Sequence, residues 1–178
     1  MTEAFGRILV AGVGNVLHGD DGFGVEVTRR LLDGPAMPPG VVVIETGIGG
    51  MSLIQEVMAD CAALLILDAF ERGGVPGQLY LLEPELTDFS RLDLHQRRDY
   101  FADTHCATPL RVLNLLAGIS RLPKVVNVLG CEPARHAALE IGLSPPVEAA
   151  IEPAVRRIHD WIRLHAVARR EPDRSQPG

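Results

Sequence analysis

Two adjacent acids, Asp20 and Asp21, stand in the stretch RILVAGVGNVLHGDDGFGVEVTRRLL (Arg7–Leu32), between a glycine loop and a helical pattern. Asp68 ends the apolar run ALLILD, and His105 opens a further helix at DTHCATPL. If the first and third strands are sheet neighbours, Asp21 and Asp68 share one rim, and His105 can reach it from a following loop. Two carboxylates and an imidazole suit a borderline divalent ion and leave positions open for an exchangeable ligand. Spacing alone keeps the bland readings open. An Asp at a helix start commonly caps it, an Asp after a strand is often a turn residue, and one His proves nothing.

A nucleotide site is the obvious competitor, because a buried strand runs directly into Gly12 and Gly14. The third glycine of a G-x-G-x-x-G fingerprint would fall at Leu17, and no phosphate-loop lysine follows. A pyrophosphate would also be repelled by Asp20 and Asp21. The nucleotide reading fails. No G-x-S-x-G and no His-Glu-x-x-His is present, and only Cys106 has an adjacent histidine. Neighbouring side chains at a helix start diverge, so that adjacency does not make a catalytic pair.

The positioning elements follow from periodicity. Arg7–Val13, Gly40–Thr46, Ala62–Phe70, Gly77–Pro84 and Lys124–Pro133 read as strands, most of them continuous apolar runs. Asp21–Asp33 has helical spacing with Phe23, Val27 and Leu31 on one stripe, and Asp20 or Asp21 is placed to cap it. Gly49–Asp60 and Thr108–Ile119 are further helices, the latter with Leu110, Leu113, Asn114 and Ala117 on one face. Ser144–Ala168 reads as one long terminal helix that Pro153 should kink or offset. This alternation predicts an α/β fold: a single three-layer α/β/α domain with a mostly parallel twisted sheet of about five strands. The domain spans residues 1–168, and the polar tail 169–178 is expected to be flexible. Ligands of such sheets bind beyond the carboxyl ends of the strands.

Bulk properties narrow the function. The 178 residues are 47% hydrophobic and 22% charged, as a globular, soluble chain should be. A net charge of −6 argues against a nucleic-acid partner. Apolar runs stop well short of the ~18 residues of a membrane helix, and no basic-then-apolar leader precedes the first strand. Three widely spaced cysteines make no disulfide framework and fit a reducing cytoplasm.

The motif GVGNVLHGDDGFG resembles the signature of the nickel–iron hydrogenase maturation endopeptidases. ETGIGGMSLI, LLILDA, THCATPLRVL, LGCEP and IGLSPPVEAAIEPAV follow in that family's order. The resemblance implies a C-terminal processing protease of the hydrogenase large-subunit precursor. It implies that Asp21, Asp68 and His105 are both the nickel ligands and the working residues. Nickel would arrive with the substrate, so the isolated, monomeric protein should hold an empty or weakly loaded site. Some relatives have glutamate at the position of Asp21, which leaves Asp20 as a competing ligand. Cys106 stands where the family often has Gln or Glu, and is read either as a packed thiol or as a soft ligand. His18 is read as a solvated loop residue or an accessory ligand. A constitutive peptide metallohydrolase and a non-catalytic maturation chaperone on the same fold are the alternative functions.

Overall fold

The computed structural model describes residues 7–48, 50–59, 61–86, 93, 95, 109–119, 121–134 and 140–167. The expected domain end at residue 168 and the tail 169–178 lie outside these residues.

Five strands form one sheet: β1 (Arg7–Val13), β2 (Val41–Gly47), β3 (Cys61–Ala69), β4 (Leu79–Leu82) and β5 (Val125–Cys131). Their order is β2-β1-β3-β5-β4, with β4 alone antiparallel to its neighbour. Among the described residues the helices are α1 (Phe23–Leu32), α2 (Gly50–Met58), α3 (Pro109–Gly118), α4 (Pro145–Glu148) and α5 (Ile151–Val167). A mostly parallel sheet between two helical layers is the architecture expected from strand–helix alternation.

The central strands are apolar throughout because both of their faces are covered. Along β3, Ala63, Leu65, Leu67 and Ala69 join Ile8 and Val10 of β1 under α1, α4 and α5. Leu64 and Ile66 join Leu9 and Ala11 under α2 and α3, through Leu53, Val57, Val112, Leu113 and Leu116. Side chains alternate along a strand, so Asp68 belongs by parity to the α2/α3 face.

Three local readings are corrected. Neither acid caps α1; its N-cap is Gly22, with no side-chain cap bond, and both carboxylates are committed elsewhere. The terminal helix is two helices, because the Pro153 ring is incompatible with continuous helix across its preceding turn, and the chain breaks at Ala149–Ala150. The buried face of α3 carries Val112, Leu113, Asn114 and Leu116, while Leu110 is exposed. Leucines at helical spacing mark a stripe but not which flank of it meets the sheet.

Close packing marks the place where α1 crosses β1 and β3. A Cβ on Gly24 would collide with the backbone carbonyls of Leu67 and Val13, and one on Gly12 with Thr28 and the Gly24 carbonyl. The Thr28 hydroxyl donates back to Gly24 O at 2.8 Å. Backbone thus lies on backbone, and the glycine motif serves helix–sheet approach. Gly24→Ala should therefore cost about 3 kcal/mol through overpacking against groups that cannot move aside. Urea unfolding would measure it, and a midpoint unchanged from wild type would refute the close contact.

Candidate functional site

The sheet order changes direction between β1 and β3, since the chain leaves β1 for β2 on one side and reaches β5 on the other. That switch point opens a crevice beyond the carboxyl ends of the strands. Both predicted acids stand there.

Asp21 lies in a 3-10 turn, Gly19–Gly22, that links the glycine loop to α1. Its carboxylate accepts the Asn15 N–H at 2.9 Å, and its carbonyl accepts the same N–H at 3.2 Å. Gly14 makes this fold-back possible: its φ is +137°, and the Asp21 carbonyl occupies the space a Cβ would fill. The Asn15 side chain closes the loop from outside, accepting Leu17 N–H at 3.0 Å. Gly47, with φ +56°, accepts Gly14 N–H at 3.2 Å, so the loop after β2 lies under the same rim. There β2 bulges against β1: Gly12 pairs with Glu45, Val13 with Gly47, and the intervening Thr46 hydroxyl donates to Gly12 O at 2.9 Å.

Asp68 leaves the end of β3, and Ala69 N–H donates to its Oδ1 at 2.9 Å. Burial pushes its carboxyl up to about 7; the Ala69 bond opposes the rise, and the Asp21 charge adds to it. That last influence shows that the two acids are electrostatic neighbours. The structure therefore brings together two of the three residues singled out from the sequence. His105 and Cys106 lie outside the described residues. Among the described residues no three His, Cys, Asp or Glu side chains gather as a metal site.

Asp20 is 1% exposed and faces away from this pair. Its Oδ1 accepts Ser144 N–H at 2.6 Å, and its Oδ2 accepts the Ser144 hydroxyl and Ala134 N–H, each at 2.8 Å. The Asp20 carboxylate is thus engaged by Ser144 and Ala134, while Asp21 is the acid whose charge acts on Asp68. His18 is exposed, and its backbone forms a bridge with Glu140. Cys131 is buried at the end of β5, and burial, with Asp20 and Glu132 nearby, lifts its thiol to about 12. It stays protonated at neutral pH and is no nucleophile.

Glu132 was not singled out from the sequence, although it follows an apolar strand and precedes a proline. It is buried, and its carboxylate accepts Arg72 N–H and Gly73 N–H at 3.0 Å and the Tyr80 hydroxyl at 3.0 Å. Burial alone would raise its pKa, but these bonds and one from Gly74 hold it below the usual glutamate value. Glu132 thereby pins the loop that follows Asp68. Phe70 stacks on Tyr80 with centroids 6.1 Å apart, the Arg72 guanidinium lies 5.7 Å from the Tyr80 ring centre, and Gly130 leaves room for the Phe70 ring.

The sequence profile described as hydrogenase maturation protease matches residues 25–161. Hydrogenase expression/formation protein HupM of Azotobacter chroococcum mcd 1 is 34% identical over 160 residues, covering 87% of this chain and 71% of that protein. The hydrogenase 2 maturation protease of Escherichia coli K12 is 34% identical over 167 residues, 90% of this chain and 93% of that protein. The solved structure of the hydrogenase maturating endopeptidase HybD from Escherichia coli matches with a TM-score of 0.69 at 30% identity, over 89% of this chain and 93% of that one.

The raised carboxyl has a consequence for stability. A carboxyl that binds its proton more tightly when folded supports the fold fully below the ordinary aspartate value of 3.8, and that support drains away as pH rises through about 7. Asp68→Asn removes the drain. The variant should exceed wild type at pH 8 by on the order of 2 kcal/mol, and the two should converge near pH 4. Urea midpoints at both pH values test this; parallel pH profiles would contradict a buried, charge-crowded Asp68.

Proposed function

The chain belongs to the hydrogenase maturation protease family and is a peptide hydrolase, and on that premise we propose that it removes the C-terminal peptide of a hydrogenase large-subunit precursor after nickel has been inserted. One observation carries the reading. Asp21 and Asp68 converge at the switch point of the sheet, with one of them buried enough to be pushed up to about 7.

A crowded carboxylate pair is an arrangement that a cation relieves. A divalent ion between the two acids would reverse the local electrostatics, favouring both ionised forms. Two carboxylates with an imidazole accept a borderline ion such as Ni²⁺, and three protein ligands leave room for ligands belonging to the client. His105 is the proposed third ligand. It stands four positions ahead of Pro109, where the described part of α3 begins. Helix α3 packs on the α2/α3 face to which Asp68 belongs. It also runs into β5 after a connection of six residues, 119–124. Because β5 is parallel to β3, that connection lies at the amino end of the strands, and the start of α3 points toward the carboxyl-end rim.

In this reading the ion is part of the substrate. Asp21 and Asp68 bind it, Asn15 and Ala69 N–H groups hold their carboxylates in place, and the precursor is gripped through its own metal. Affinity then depends on the metal being present, so an unloaded precursor is rejected rather than merely held less well. The ion can also polarise the scissile carbonyl. Among the described residues no helix is long and apolar enough to cross a membrane.

The test is to incubate the purified protein with precursor prepared with and without nickel, and to follow loss of the C-terminal peptide by mass. Only the loaded form should be cut. Asp68→Asn and His105→Ala should each lower processing at least about 100-fold while keeping the wild-type circular dichroism spectrum. Equal cleavage of loaded and unloaded precursor would overturn the nickel checkpoint. Normal cutting by either variant would remove that residue from the ligand set.

A further inference from the structure

Consecutive side chains in a 3-10 turn point about 120° apart. In Gly19–Gly22 this separates two chemically identical neighbours: Asp20 is buried in the protein, and Asp21 is part-exposed on the side where its charge acts on Asp68. The inward acid is anchored to parts of the chain far away in sequence. Ser144 donates twice and Ala134 once, across separations of 124 and 114 residues. Gly19 N–H adds a bond to Glu140 O at 2.6 Å. Among the described residues the bonds of the outward acid stay within its own loop: its carboxylate accepts from Asn15, and Asp21 N–H reaches His18 O at 3.3 Å. Whatever fixes the rotation of the turn must therefore act on its inward side.

The geometry points to Asp20 as a positioning residue: its buried carboxylate locks the turn to Ala134 and Ser144 and thereby aims Asp21 at Asp68. This inference rests on the reading of Asp21 and Asp68 as the substrate-metal ligands, but its structural half stands apart from that reading. Asp20 touches neither substrate nor metal. It acts through the orientation of its neighbour, as groups behind a ligand commonly do. The two acids of the motif have different tasks, one gripping the scaffold and the other facing the client.

The experiment uses Asp20→Asn and Ser144→Ala in the full chain. The amide of Asn can accept at one atom only, so the variant keeps the shape of Asp20 but cannot accept all three bonds. Ser144→Ala removes one bond and keeps the carboxylate. Hydrogen exchange is followed residue by residue, with precursor processing measured alongside. In Asp20→Asn the Asn15 amide, which bonds Asp21, should exchange at least about 10-fold faster, while amides of β1 and β3 keep their protection. Ser144→Ala should show the same change at smaller size. Processing by Asp20→Asn should fall about 10- to 100-fold in kcat/KM, mainly through KM. A merely structural Asp20 would instead loosen the sheet amides together with Asn15 and lower activity only by the unfolded fraction. That result, or unchanged Asn15 exchange in both variants, overturns the inference. If wild type cuts no precursor, the proposed function fails, and Asn15 exchange still decides the role of Asp20 in holding the turn. If Asp20→Asn does not fold, Ser144→Ala carries the same comparison.

Discussion

Helix α1 lies against β1 and β3 with its Gly24 backbone on the Leu67 and Val13 carbonyls and its Thr28 side chain seated on Gly12. This contact fixes the height of the helix over the sheet, and with it the position of the turn that precedes the helix. A side chain at Gly24 would lift α1 off the Val13 and Leu67 carbonyls. The turn would rise with it, and Asp21 would leave the level of Asp68. Gly14 extends the same economy to the loop, where its left-handed φ and missing Cβ admit the Asp21 carbonyl. The glycines that imitate a dinucleotide fingerprint, Gly12 and Gly14, are thus explained by steric fit to helix α1 and to the Asp21 carbonyl rather than by phosphate approach.

Around that contact the molecule distributes three acids by burial and bonding. Asp20 is enclosed and accepts from Ser144 and Ala134, Glu132 is enclosed and receives several donors, and Asp68 is part-buried, with Ala69 N–H as its donor among the described residues and a like charge beside it. Buried carboxylates with enough donors behave as fasteners, while one short of donors keeps a demand for positive charge. The contrast between Glu132, held below its usual range, and Asp68, held well above it, comes from the surroundings and not from residue type.

Much of this was legible in the sequence. Runs such as ALLILD and RILVAGV are apolar on both faces, which specifies central strands, and the alternation with helices specifies their parallel order. The ends of those runs located Asp68 and the acid loop correctly. What the sequence hid depends on partners distant along the chain. Nothing near Asp20 announces Ser144 or Ala134, so the acid looks like a helix cap. Nothing near Glu132 announces Arg72, Gly73 and Tyr80. The antiparallel course of β4 has no signature in LYLL, since it is decided by which neighbour the strand joins. Pro153 did announce trouble in the terminal helix, but a proline says that the helix must break and not whether it bends or splits in two.

Strand β4 precedes β5 in the chain and yet pairs with it at the sheet edge, while β5 itself occupies the place beside β3. Seen in the order of synthesis, the acids Asp20, Asp21 and Asp68 emerge early, and the partners that fasten Asp20 emerge late. Ala134 and Ser144 follow Asp20 by more than a hundred residues. Contacts so remote form only after their loop-closure cost has been met, near the end of folding. A growing chain consequently carries the carboxylates without their arrangement. Competence at the rim comes last, when the C-terminal third of the molecule closes over the first.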